Sequence, residues 1–273
     1  MSTQFLQSRQ SIAFGLWVFI TACFLLLGGC LTAFAQEDLP HRILLHYEAP
    51  QDKSLKRYRV LARDAAVFEG ISRTISDVFV LPNDIDVYFT QCGEANAFYD
   101  SNEVEISVCY ELMDDYAQIF SEENENEDEL NTQILYATAF TFYHELGHAL
   151  VDQFELPITG KEEDVVDEFA AILLLEAGDN GEYALLSEIQ RFAALADEEQ
   201  ANLENLAFWD EHSLDSQRFY ALACLLYGSN PEQYADLNDE DILPDDRAER
   251  CPTEYQKKRK SWDILLTPHT RDD

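Results

Sequence analysis

Three observations predict an α+β fold. Strand-like stretches with alternating polar and apolar residues are confined to residues 43–108. From Leu130 almost to the end, apolar residues recur at helical spacing. Strands that come first and helices that follow argue against a doubly wound sheet. The composition, 47% hydrophobic and 12% aromatic with only 10 Gly and 8 Pro in 273 residues, supplies a core and excludes wholesale disorder.

Taken in order, the chain begins with a stretch that is export machinery rather than fold. Residues 10–36 carry no charge, and residues 12–27 (IAFGLWVFITACFLLL) are almost purely apolar after Arg9, the pattern of a secretory signal. Ala33-Phe34-Ala35 before Gln36 fits a signal-peptidase site, and Leu27-Gly28-Gly29-Cys30 resembles a lipobox that would lipidate Cys30. A retained anchor is the third reading, since about 20 apolar residues span a bilayer. Each exports the remainder to the periplasm or beyond, with membrane attachment through this segment in two of the three. The division is a signal over 1–35 and a single domain over 36–273.

In the domain, residues 43–47 read as a strand. Leu55, Tyr58, Leu61, Ala62, Ala65, Phe68, Ile71, Ile75 and Val78 predict one long helix over 55–79, ended by Pro82. Residues 85–90 (IDVYFT) and 103–108 (EVEISV) alternate as strands, with an Asp100-Ser101-Asn102 turn between them. The run 121–129 (SEENENEDE) has no apolar side chain and reads as a solvated loop, or as an acidic flap over a cleft. Helices then follow, with breaks at 157–160, 178–181, 210–213 and 228–231.

Charge and cysteines bound the function. With 18 Lys+Arg against 53 Asp+Glu the net charge is −35, which argues against a nucleic-acid partner held by its phosphates. Cys23 and Cys30 fall in the export segment, leaving Cys92, Cys109, Cys224 and Cys251, an even number in an oxidising compartment. Two disulfides are expected. Of three connectivities, proximity favours Cys92 with Cys109, which would staple Ala97-Phe98-Tyr99 as an edge strand, and Cys224 with Cys251.

The chemistry concentrates in His144-Glu145-Leu146-Gly147-His148, an HExxH pattern inside an apolar helical run, residues 134–154. Residues four apart share a helix face, so both imidazoles can converge on one ion, and Glu145, one step round, can reach a water on it. Catalytic zinc with two histidines takes a third protein ligand, often a Glu of the next helix. That helix is announced by Thr159-Gly160-Lys161-Glu162, a capping-box form, ahead of Val165, Val166, Phe169 and Ala170. The helix dipole accounts for Glu162, Glu163 and Asp164 but not for Asp167, four residues past Glu163, because like charges at that spacing repel. A cation held by Glu163 relieves the repulsion, with Asp167 accepting from the far nitrogen of a ligand histidine. Asp164 and Glu168 are rivals of Glu163.

HELGH followed by Glu163-x-x-x-Asp167 resembles the gluzincin group of zinc metallopeptidases, the thermolysin-like enzymes. The layout is also similar to an exported bacterial family of metallopeptidases of unknown function, through Cys92-Gly93-Glu94-Ala95-Asn96-Ala97-Phe98-Tyr99, Cys109-Tyr110-Glu111-Leu112, HELGH, Asp210-Glu211-His212-Ser213-Leu214 and Gln217-Arg218-Phe219-Tyr220. The resemblance implies a compact zincin-like fold, a small antiparallel or mixed sheet with an active-site helix and a mostly helical C-terminal half. It implies Zn2+ on His144, His148 and Glu163, Glu145 as general base, Asp167 behind the ligands, and a peptide or protein substrate. The strand nearest the active helix would pair with substrate, with 96–99 and 103–108 as candidates. His212 is the candidate oxyanion stabiliser, with Tyr220 and Arg218 behind it; alternatively His212 caps a helix near Ser213 and Arg218 pairs with an acid.

Two other classes stay open: a non-catalytic zinc-binding or interaction protein on the same scaffold, and a hydrolase of a non-peptide amide. Residues 236–241 (DLNDED) lack the Gly and terminal Glu of an EF-hand and read as surface. Lys257-Lys258-Arg259-Lys260 reads as a solvated helix face, able to meet acidic surface or anionic lipid. The sequence sets no oligomeric state.

Overall fold

In a computed structural model, residues 40–121, 126–201, 204, 206–239 and 242–271 are described, so the stretch expected to direct export lies outside them. Four strands, β1 (Ile43–Tyr47), β2 (Ile85–Thr90), β3 (Ala97–Asp100) and β4 (Glu105–Cys109), form one mixed sheet in the order β1-β2-β4-β3. The pairs β1–β2 and β2–β4 are parallel, with Leu45 opposite Val87 and Val87 opposite Ile106. The pair β3–β4 is antiparallel, with Tyr99 opposite Ile106, so β3 is an edge strand. Alternation puts Ile85, Val87 and Phe89 of β2, with Ile106 and Val108 of β4, on one fully buried face.

Helices cover that face. Between β1 and β2 lie α1 (Lys56–Asp64) and α2 (Val67–Val78), where the periodicity predicts one helix. The chain breaks at Ala66, which adopts the left-handed conformation with φ 55°. No Gly or Pro marks the spot; the two halves dock on different partners, α2 on β1 and α1 on α3 (Tyr110–Phe120), and a straight helix could not serve both. Tyr58 of α1 donates to Asp114 of α3 at 2.7 Å, while Phe68 of α2 packs on Phe89 of the sheet and Phe142 of the next helix.

That helix, α4 (Glu127–Gln153), is the axis of the molecule. It starts earlier than the loop reading of 121–129 allows: Asn126 caps the backbone of Asp128, and Glu127, Asp128 and Glu129 form the first turn, where the helix dipole favours acids. Residues 122–125 of that run lie outside the description. Packed between β3, β4 and α3 on one side and α5 (Glu162–Glu176) and α6 (Asp179–Ala201) on the other, α4 is buried nearly all round over its second half. The helical half closes with α7 (Asp215–Ser229), the short turns α8 (Asp236–Asp239) and α9 (Asp245–Ala248), and α10 (Cys251–Leu266). Among the described residues no helix is long and apolar enough to cross a membrane.

Both expected disulfides form. Cys92–Cys109 ties the approach to β3 to the end of β4, and Cys224–Cys251 ties α7 to α10. Two capping expectations do not survive. Helix α5 starts at Glu162 with Lys161 at its N-cap, leaving Thr159 outside, and α7 starts at Asp215, where the Gln217 side chain takes the Leu214 N–H at 3.2 Å instead of any cap from His212. Lys258 pairs with Glu168 and Arg259 with Glu176, so part of the basic cluster is spent on acids of α5.

Candidate metal centre

The site is assembled where α4 and α5 come unusually close. A Cβ added at Gly147 would lie 2.9 Å from Cβ and Cγ1 of Val166 and 3.0 Å from a ring carbon of Phe169, so only glycine permits this approach. It brings the first turns of α5 against the histidines one turn apart on α4. His144 Nε2 lies 3.2 Å from Glu163 Oε2, and His148 Nε2 lies 3.3 Å from Glu163 Oε1. One ligand atom from each of His144, His148 and Glu163 falls within 4.8 Å of the others, a set that could hold a metal ion.

The outer nitrogens are held as well. His144 Nδ1 is 2.8 Å from Asp167 Oδ1, and His148 Nδ1 is 2.8 Å from Glu162 Oε1. Carboxylates on both Nδ1 atoms keep a proton there, so that an imidazole that loses its second proton turns an Nε2 lone pair inward. Asp167 is itself gripped by Arg218 of α7, whose Nε and Nη2 each donate at 2.7 Å. Arg218 is thus committed to an acid, as one of the two sequence readings had it, and the guanidinium lies over the Phe192 ring of α6, 4.2 Å from its centroid.

Burial and charge act against each other here. Burial lowers His144, but Asp167 and Glu163 outweigh it and raise it to about 10. His148 and His212 are also raised, the former against its burial and the latter mainly by its bond to Glu163. Burial alone would raise Glu163 and Asp167, yet imidazoles hold Glu163, and Arg218 with His144 hold Asp167, far below the carboxylate range. Without a metal the His144 imidazole therefore carries a proton that a cation would displace. Glu145 behaves otherwise: 6% exposed, it is raised by burial, and no described residue hydrogen-bonds its carboxylate. Its acceptor capacity is left for water or a bound molecule.

His212 comes to the same place from the segment before α7, with Nε2 3.0 Å from Glu163 Oε2 and Nδ1 3.2 Å from Asp210 Oδ1. Lys161 fastens that segment by donating to the carbonyls of Asp210 and His212 at 3.1 and 3.3 Å. The rivals of Glu163 are not brought in: Glu168 turns to Lys258, and Asp164 makes no bond to either histidine. Tyr220 is half exposed and packs its ring on Phe219. Sequence reasoning missed Glu162 as the partner of His148. The signal existed, since each ligand histidine wants its own acceptor and only one had been sought.

A buried helix with two inward imidazoles, a carboxylate from the next helix and an unbonded acid beside them form a set of donors that could hold a metal ion. Residues 47–266 match the DUF4344 family, described as "putative metallopeptidase", and the chain belongs to that family. No curated protein and no solved structure matches it.

Proposed function

We propose that this protein is an exported zinc-dependent peptidase, with His144, His148 and Glu163 as ligands. The observation that carries the proposal is the convergence of those three side chains beside a buried, unbonded Glu145. Nitrogen and carboxylate donors with carboxylates on both Nδ1 atoms suit zinc. Held by His144, His148 and Glu163, such an ion would supply a water of pKa about 7 and polarisation of the scissile carbonyl. Glu145 accepts a proton from the attacking water and delivers it to the leaving amine, a double duty suited to a carboxyl raised by burial. Once Glu163 is committed as a ligand, His212 Nε2 is released to donate to the oxygen that gains negative charge.

Substrate binding follows from the sheet. β4 is interior, paired on both sides, so of the two candidate strands only β3 has an edge to offer. It packs beside α4 and can accept an extended chain by backbone pairing, which tolerates many sequences. The two disulfides support the oxidising compartment that the export segment implies. A purely structural zinc site has no use for Glu145, which separates this reading from a non-catalytic scaffold. The test is hydrolysis of a mixed peptide library by zinc-loaded parent and Glu145→Gln. Cleavage that falls by about 10²-fold or more while zinc is retained supports the assignment; unchanged cleavage removes Glu145 from the reaction.

A further inference from the structure

Phe208 and Trp209 are 74% and 85% exposed, above every other large apolar side chain described. They sit at the two central positions of a turn closed by Asp210 N–H donating to Ala207 O at 2.9 Å. Side chains this exposed bury little against the described chain, so packing does not explain two adjacent aromatics there. The turn is moored to the candidate metal centre. Asp210 carboxylate takes the His212 N–H at 2.8 Å, Lys161 binds the carbonyls of Asp210 and His212, and His212 Nε2 reaches Glu163.

We propose that Phe208 and Trp209 form a recognition element for a bulky apolar side chain of a polypeptide substrate. This rests on the peptidase reading of the same site. Trp209 lies three positions before His212, at most about 11 Å of chain. An extended substrate advances about 3.3 Å per residue, so the aromatic pair, a short stretch of chain from a residue whose side chain reaches Glu163, overlaps positions within a few residues of the bond to be cut. A lipid surface is the other ligand of exposed aromatics, but Asp210 and Glu211 follow directly and the chain carries net −35, which repels anionic headgroups and acidic peptides alike. Neutral or basic polypeptides with Phe-like side chains are left.

The test uses two decapeptide series of Gly, Ser and Lys that differ only in carrying Phe or Ala at one scanned position. The zinc-loaded parent prefers the Phe series by about tenfold or more in kcat/KM, and Phe208→Ala/Trp209→Ala loses the preference with metal content and thermal midpoint retained. A preference that persists in the double variant overturns the inference and leaves the peptidase reading standing. Binding is read separately on Glu145→Gln. Of the three tryptophans, Trp17 lies in the export segment and Trp262 is 5% exposed, so the difference from Glu145→Gln/Trp209→Ala isolates the emission of Trp209. A blue shift with Phe but not Ala peptides supports the inference even where no peptide is cut, an outcome that would sink the catalytic reading alone. No shift with either peptide, or a shift with phosphatidylcholine vesicles and not with Phe peptides, overturns it.

Discussion

Arg218 is far in sequence from the HExxH helix, yet removing it should be felt at the metal. Its two 2.7 Å bonds satisfy both oxygens of Asp167, which is 4% exposed and in turn holds His144. Arg218→Met keeps an unbranched apolar stem of similar length but removes the guanidinium over Phe192 and leaves a buried carboxylate with His144 alone. Charge-assisted hydrogen bonds contribute about 1.5–3 kcal/mol each, and breaking a buried pair by removing one partner costs about 3–5 kcal/mol; the loss expected in urea unfolding at pH 7 is in that range. The pH dependence of that loss is set by Asp167. Its folded pKa is depressed, so its contribution is complete above its ordinary value of 3.8 and is lost as pH falls through and below that value. Without Arg218 the opposing effect of burial gains ground, so the gap between parent and variant must narrow as the pH drops below about 4. Metal affinity should fall about 10–100-fold, as for other groups that orient a ligand from behind. A loss under about 1 kcal/mol at pH 7, or a gap that does not narrow in acid, would refute the reasoning.

Three further outcomes are expected. Gly147→Ala forces apart α4 and α5 at the site, costing about 1–3 kcal/mol by thermal unfolding and weakening metal binding; an unchanged metal dissociation constant would show that the close approach does not set the ligand spacing. Opening Cys92–Cys109 or Cys224–Cys251 by paired Ser substitutions should cost about 3 and about 3.5 kcal/mol, from loops of 17 and 27 residues, in denaturant titrations. Because His144 is raised to about 10 in the metal-free protein, loading at pH 7 must expel protons and affinity must rise with pH. Calorimetry in buffers of different ionisation enthalpy reads that release directly, and zero release would contradict the protonated cluster.

Much of this was legible in the sequence because local pattern and tertiary need agreed. Alternation found β2, the apolar run found the body of α4, and cysteine spacing found both disulfides together with the edge position of β3. Where the two disagree, the pattern misleads. Ala66 breaks a periodic helix because α1 and α2 face different partners, and no residue type there records it. The capping signals at Thr159 and His212 go unused, since α5 starts with Lys161 at its N-cap and the Leu214 N–H before α7 is taken by Gln217. Parallel pairing of β1, β2 and β4 was equally hidden, because strand order depends on crossovers and not on strand composition. At the site, Glu163 and Asp167 were readable from their spacing, whereas the grip of Arg218 on Asp167 spans 51 residues and leaves no periodic trace.

Elemental analysis of the purified protein after mild dialysis reads whether His144, His148 and Glu163 hold one zinc ion. Parent protein should carry about one zinc per chain, and Glu163→Ala should lose it or hold it far more weakly. Parent protein that takes up no zinc even on reconstitution would reduce the two histidines to helix residues bonded to acids and contradict the account.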